Sequence, residues 1–136
     1  MAALARQLDD WEPRVLSILR LITGLLFMQH GLSKLFAFPG PFAGGTPAMF
    51  QLLWFAAIIE IVGGFLLAIG LFTRPVAFIM SGEMAIAYFY AHSPRGFFPL
   101  LNGGEGAILY CFIFLYFFVA GGGAWSLDRM RGSGTA

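Results

Sequence analysis

Seven ionisable side chains interrupt the apolar stretches of this sequence, and they are the residues best able to do chemistry. They are Arg20, His30, Lys34, Glu60, Glu83, His92 and Glu105. A charged side chain at the centre of a transmembrane helix costs about 2.5–3.5 kcal/mol, so such residues usually face one another inside a helical bundle. The pattern therefore predicts a polar site inside an otherwise apolar protein.

The elements that must hold these residues are four apolar stretches, at about residues 15–36, 48–72, 75–91 and 105–120. Each stretch is close to the roughly 17–25 residues that cross a bilayer as a helix. Hydrophobic residues make up 59% of the 136 residues and charged residues only 11%, which leaves too little polar surface for a water-soluble domain. We therefore expect an all-α fold, in which a single domain of residues 1–136 forms an antiparallel bundle of four transmembrane helices.

The distribution of positive charge predicts the orientation of this bundle. The side that holds both termini and the second loop carries Arg6, Arg14, Arg74, Arg129 and Arg131, whereas the opposite side has only Lys34 and Arg95. By the positive-inside rule, both termini of a bacterial inner-membrane protein would then lie in the cytoplasm. The net charge of +1 gives no reason to expect a nucleic-acid partner.

Depth along the helices sorts the ionisable residues into two groups. At about 1.5 Å per residue, Arg20 and Glu83 lie nearer to the cytoplasm, which predicts a structural ion pair between them. Glu60 falls near the middle of the membrane, and His30 lies somewhat further out. Lys34, His92 and Glu105 belong near the outer face. The sequence thus predicts an outer polar cluster above a buried Glu60.

Several of these residues have a structural alternative to a role in chemistry. Lys34 could extend its ammonium to the outer interface, and His92 could be a polar residue satisfied in the core. Glu105 could form a capping box with Asn102 at the start of the fourth helix. No metal site is expected, because no two histidines have a close ligand spacing. The sequence also contains no haem-attachment or flavin-binding motif.

Four segments, in order along the chain, resemble the DoxX family of small four-helix integral membrane proteins. They are Arg20-Leu-Ile-Thr-Gly24 with Phe27-Met-Gln-His30-Gly31-Leu-Ser-Lys34, then Glu60-Ile-Val-Gly63-Gly64, then Asn102-Gly-Gly-Glu105, and finally Gly123-Ala-Trp125-Ser126-Leu127-Asp128. The resemblance covers roughly residues 14–128. It implies an association with redox chemistry, because the family is named for its similarity to the membrane subunit of a thiosulfate–quinone oxidoreductase.

The leading hypothesis is therefore a redox-associated subunit that binds a quinone or a similar lipidic ligand between its helices. His30 and Glu60 would be the catalytic residues that exchange protons with the ligand, while Lys34, His92 and Glu105 would bind it from the outer side. Electrons would come from a partner redox or membrane protein. The sequence leaves open whether the chain is itself catalytic and whether it forms a homo-oligomer.

Two further functions stay open at the level of sequence. The chain could be a non-enzymatic scaffold or chaperone for partner membrane proteins, whose internal charges only fix the packing of the helices. It could also be a small transporter or proton pathway, although it shows no inverted repeat.

Overall fold

The computed structural model describes residues 1–132, and all regular secondary structure in that range is helical. The helices are α1 (Ala2–Phe36), α2 (Leu52–Ile69), α3 (Thr73–Ala87), α4 (Pro99–Asn102), α5 (Glu105–Ala120) and α6 (Leu127–Met130). A π-helical turn, Tyr88–His92, and a 3₁₀ turn, Ser93–Arg95, extend α3. The all-α prediction is confirmed. Residues 133–136 of the predicted domain lie outside the described range.

Two of these helices, α1 and α2, are long and apolar enough to cross a membrane. The apolar helix α5 has 16 residues and is shorter. Large apolar side chains stand exposed on all four long helices, such as Ile22 on α1, Phe65 on α2, Ile79 on α3 and Phe112 on α5. An exterior of this kind suits lipid rather than water.

The ends of α1 and α2 differ from the predicted spans for local reasons. Helix α1 begins at Ala2 rather than near residue 15, since its helical turns continue through Pro13. Helix α2 begins later than predicted because Phe50 adopts a left-handed conformation with φ of 66°. It ends at Ile69 because Gly70 adopts a left-handed conformation with φ of 71°. The Gly70 N–H then donates to carbonyl oxygens of the last helical turn.

The long helices pack in the order α1, α2, α3, α5, with neighbours antiparallel. Helices α1 and α2 approach closely at Gly24, where a Cβ would lie 2.7 Å from both the Ala68 nitrogen and the Gly64 oxygen. Helices α1 and α5 meet through the rings of Phe27 and Phe114, whose centroids are 4.8 Å apart. This arrangement places the polar residues of α1, α2 and α3 in one interior.

The chain after α5 closes one end of the bundle. The Asp128 carboxylate accepts hydrogen bonds from the backbone N–H groups of Phe72 and Thr73, both at 2.8 Å, and so caps the start of α3. The Trp125 N–H donates to Ser17 Oγ on α1 at 2.9 Å. This end of the bundle is therefore held by polar contacts.

Candidate functional site

The close approach of α1 and α2 positions a buried ion pair. A Cβ on Gly31 would lie 2.5 Å from the Ala57 carbonyl oxygen and 3.1 Å from Glu60 Cβ, so a larger residue would push the helices apart. Lys34 lies about one turn further along α1, and helical side chains lean toward the N-terminus of their own helix. The Lys34 ammonium therefore reaches back and donates to Glu60 Oε1.

This Lys34–Glu60 pair is deeply buried, with 8% of Lys34 and 2% of Glu60 exposed. It is the one ion pair with an N–O distance within 4.0 Å in residues 1–132. The ring of Phe42, from the loop after α1, lies 5.6 Å from the Lys34 ammonium. Lys34 thus points into the bundle rather than toward the outer interface. The second carboxylate oxygen of Glu60, Oε2, is buried and has no hydrogen-bond partner.

Glu83 on α3 lies at the same level as Glu60. The register of α2 and α3 is given by Gly63, where a Cβ would lie 2.8 Å from Met80 Sδ. Glu60 is three residues from Gly63, and Glu83 is three residues from Met80. Because the two helices are antiparallel, both steps lead toward the same end of the bundle. Both oxygens of Glu83 are buried without a hydrogen-bond partner. Three ionisable groups, from α1, α2 and α3, therefore lie at one level of the interior.

The predicted ion pair between Arg20 and Glu83 is wrong, because no contact joins the two residues. Arg20 instead donates hydrogen bonds to four backbone carbonyls, those of Leu67, Ala68, Gly122 and Trp125. The first two belong to the last turn of α2, whose carbonyls lack partners within the helix. Since Ala68 is about 12 Å along α2 from Glu60, Arg20 is too far from the level of Glu83.

His30 lies on the outside of this site rather than within it. Its side chain is exposed, and its Nδ1 is 3.0 Å from the Leu26 carbonyl oxygen. The ring is 5.8 Å from that of Tyr110 on α5 and 6.0 Å from that of Phe27. In residues 1–132, no hydrogen bond joins His30 to Glu60. His30 therefore marks the surface seam where α1 meets α5, one turn from Lys34.

The predicted outer cluster is not formed as a single site, because His92 bonds locally. Its Nδ1 lies 3.2 Å from the Asn102 carbonyl oxygen, and its ring stacks on Tyr88. The Asn102 side chain donates to the Gly96 carbonyl at 2.8 Å and accepts from the Gly104 N–H at 2.8 Å. These contacts fix the turn between α3 and α5, and none of them reaches Lys34.

Glu105 is also separate from the ion pair. It is exposed in the first turn of α5, and the cap of that helix is Gly104 without a side-chain hydrogen bond. The capping box predicted from Asn102 and Glu105 is therefore wrong, since the Asn102 side chain bonds within its own turn instead. An acidic residue in the first turn still stabilises a helix through the helix dipole.

Residue types gave no signal for the contacts that hold Arg20, since every residue has a carbonyl oxygen. The acceptors become visible only when α2 and the C-terminal chain are placed around α1.

A cleft of about 590 Å³ lies at the same end of the bundle as Arg20, lined in part by Glu12, Arg74, Asp128 and Arg129. None of the seven predicted site residues lines this cleft.

A helical bundle with an apolar exterior and a buried ion pair is typical of an integral membrane protein. The DoxX family model matches residues 15–93, which include Lys34, Glu60 and Glu83, and this chain belongs to the DoxX family.

The chain is also similar to several bacterial proteins. A Haemophilus influenzae protein described as uncharacterized is 47% identical over 126 residues, which cover 90% of this chain and 94% of the relative. The uncharacterized membrane protein Rv3486 of Mycobacterium tuberculosis is 33% identical over 142 residues, covering 88% of this chain and 82% of that protein. The putative oxidoreductase CatD of Bacillus subtilis is 38% identical over 66 residues, about half of each chain. No solved structure is significantly similar.

Proposed function

We propose that this protein is a redox-associated subunit of the bacterial inner membrane that binds a quinone or a similar lipidic ligand within its helix bundle. The observation that carries the proposal is the Lys34–Glu60 pair, buried between α1 and α2, with Glu60 Oε2 unpartnered. Buried ionisable residues in a membrane protein mark functional sites unless they are fully satisfied. The similarity to the putative oxidoreductase CatD supports a redox association.

The residues beside the pair fit an aromatic ligand with polar oxygens. His30 and Lys34 are four residues apart on α1 and hence adjacent on its surface. Phe27, Tyr110 and Phe114 form an aromatic cluster next to His30, with ring centroids 4.8–5.7 Å apart. A ligand that enters from the lipid between α1 and α5 would meet His30 and Tyr110 before it reaches Lys34.

Each polar residue then has a distinct role in the proposed site. A bound quinone would accept two electrons from a partner redox protein and two protons at its oxygens. Lys34 would donate a hydrogen bond to one oxygen, and Glu60 would hold the ammonium in place. His30 would exchange a proton at the lipid-facing side through its imidazole ring, which can both donate and accept. His92 and Glu105 would act only at the outer mouth of the site.

We also propose the topology that this function needs. All four long helices cross the membrane, with α3 lengthened by its π-helical and 3₁₀ turns, and both termini lie in the cytoplasm. The excess of arginine at the end of the bundle that holds the termini supports this orientation. The Lys34–Glu60 site would then lie in the outer half of the membrane.

The experiment is to extract the protein in a mild detergent and measure the quinone that remains bound by chromatography of the lipid extract. Wild-type protein is expected to retain quinone, and Lys34→Met is expected to reduce its retention about tenfold, which corresponds to about 1.4 kcal/mol. Glu12→Gln is the matched control, because Glu12 is exposed and lies at the opposite end of the bundle, and this variant should retain as much as wild type. Wild-type protein without quinone would contradict the proposal.

A second function, as a scaffold for partner membrane proteins, has one observation in its favour. Residues 2–12 of α1 are exposed throughout, with apolar side chains at Leu4, Leu8 and Trp11 on the surface. A partner helix could pack on this part of α1. Deletion of residues 2–10 should then abolish the capture of a membrane partner in affinity purification, while the amount of bound quinone stays unchanged. Capture of the same partners by the shortened protein would exclude a role for this part of α1.

A further inference from the structure

The charges at the level of Glu60 do not balance. Lys34 supplies the one ammonium at this level and pairs with Glu60, whereas both oxygens of Glu83 are buried without a hydrogen-bond partner. If both carboxyl groups were ionised, one negative charge would lie uncompensated in the interior. An isolated buried charge costs far more free energy than neutralising the group by proton exchange with solvent. A buried carboxylate without a compensating cation therefore takes up a proton.

The hydrogen-bonding pattern agrees with a missing proton donor. Glu60 Oε2 and both Glu83 oxygens are buried and have no partner among the described residues. An ionised carboxylate accepts hydrogen bonds only, whereas a protonated one also donates. A proton on one of the two carboxyl groups would provide a donor, which two ionised carboxylates lack.

The neighbouring helices offer no other compensating charge. Lys34 and His30 are the ionisable groups that α1 places near this level, and His30 faces outward. Helix α5 has no charged residue after Glu105, and its titratable groups in this region are Tyr110 and Cys111. Arg20, the other buried cation, hydrogen-bonds four backbone carbonyls near the C-terminal end of α2 and in the chain after α5.

We infer that Glu60 and Glu83 share a single proton, so that the site holds one ammonium, one carboxylate and one carboxylic acid. Lys34 keeps Glu60 ionised in the resting site, and the proton resides mainly on Glu83. The pair is a proton store inside the membrane. As a donor to a bound quinone, the store rests on the proposed function. The carboxylic O–H bond would break and its proton would pass to one quinone oxygen, the second proton would come through His30, and the partner redox protein would supply the two electrons. A proton from solvent would then restore the carboxylic acid.

Infrared spectroscopy of the ligand-free protein tests the proton directly. An un-ionised carboxylic acid has a C=O stretching band that a carboxylate lacks, and ¹³C-labelled glutamate identifies the band as that of glutamate. The surroundings of the remaining acidic side chains differ from those of Glu60 and Glu83. Asp9, Asp10, Glu12 and Glu105 are exposed, and Asp128 accepts two backbone hydrogen bonds.

Wild-type protein at neutral pH should show the band of one carboxylic acid. The band should disappear in Glu83→Gln, and it should persist in the control Glu105→Gln. In Lys34→Met neither carboxylate has a cation, so the intensity should rise about twofold. Circular dichroism confirms that each variant remains helical.

Wild-type protein without the band would overturn the inference, since both carboxylates would then be ionised and a bound cation would compensate them. An undiminished band in Glu83→Gln would also overturn it. These results are independent of quinone retention. A missing quinone with an intact band would contradict the proposed function alone, and retained quinone without the band would contradict the proton store alone.

Discussion

At the scale of single residues, the structure assigns different partners to the two buried cations. Within residues 1–132, Lys34 hydrogen-bonds a carboxylate, whereas Arg20 hydrogen-bonds only carbonyl oxygens. The planar guanidinium presents five N–H donors and can serve several acceptors at once, which an ammonium on a flexible chain does less well. The two cations therefore have different tasks: Arg20 joins elements, and Lys34 holds a charged site.

Double-mutant cycles separate these two tasks. Replacement of Lys34 by Met or of Glu60 by Gln should each destabilise the protein by about 3–5 kcal/mol, because the remaining partner must either stay buried as an uncompensated charge or be neutralised without its ion pair. The double variant should recover about 1–3 kcal/mol of that loss. Thermal unfolding in detergent measures both effects.

The control cycle uses Arg20→Met with Glu83→Gln. Since the two residues are not in contact, their effects should add within about 0.5 kcal/mol. A coupling as large as that of Lys34 with Glu60 would mean that Arg20 and Glu83 pair in the membrane after all.

Arg20 should tolerate conservative replacement poorly. Lysine cannot reach the carbonyls of Leu67, Gly122 and Trp125 together, so Arg20→Lys should leave buried acceptors unpaired and cost about 2–4 kcal/mol. The matched control is Arg14→Lys, at an exposed position whose guanidinium lies over the Trp11 ring. Equal melting temperatures for Arg20→Lys and the wild type would contradict a structural role for the four hydrogen bonds.

At the scale of elements, the long apolar stretches could be read from the sequence, but their partners could not. Helix α5 has the predicted bounds because its apolar run starts after Gly103-Gly104 and ends before Gly121. The ends of α2 depend on left-handed conformations at Phe50 and Gly70, and the first of these has no signal in residue type.

The site could be predicted only in part, for a related reason. Sequence indicated that Glu60 is buried, which follows from its place in an apolar run. Its pairing with Lys34 depends on how far α1 slides along α2, and this is fixed by the contact of Gly31 with Ala57. Counting residues from the membrane surface cannot provide that register to within one turn.

Glycine substitutions test this register. Gly31→Ala should destabilise the protein by about 1–3 kcal/mol, because the new Cβ would lie 2.5 Å from the Ala57 carbonyl and force α1 away from α2. Gly82→Ala in α3 is the matched control, since a Cβ there meets nothing within 4 Å. It should raise the stability by about 0.5–1 kcal/mol through its better helix propensity. Equal effects of the two substitutions would contradict the observed packing.

At the scale of the whole molecule, the two ends of the bundle differ in character. One end is closed by Arg20, Ser17 and the Asp128 cap, through hydrogen bonds to backbone groups. The buried ionisable site lies toward the other end, next to the seam of His30 and Tyr110. We interpret the first end as the fixed base of the bundle and the second as the part open to a lipidic ligand.

Cysteine labelling tests the orientation of these ends. In a Cys111→Ala background, Thr46→Cys in the first loop should react with an impermeant maleimide in intact cells. Arg131→Cys near the C-terminus should react only after the membrane is permeabilised, because the arginine-rich end is expected inside. The reverse pattern of labelling would show that the bundle is inverted.

The most direct test of a quinone site at Lys34 and Glu60 is photo-crosslinking with an azidoquinone in native membranes, followed by peptide mapping of the label. The label should attach near His30 on α1 and Tyr110 on α5, excess quinone should prevent this attachment, and Lys34→Met should weaken it. A label confined to other exposed apolar residues, or one that excess quinone does not reduce, would contradict a quinone site at Lys34 and Glu60.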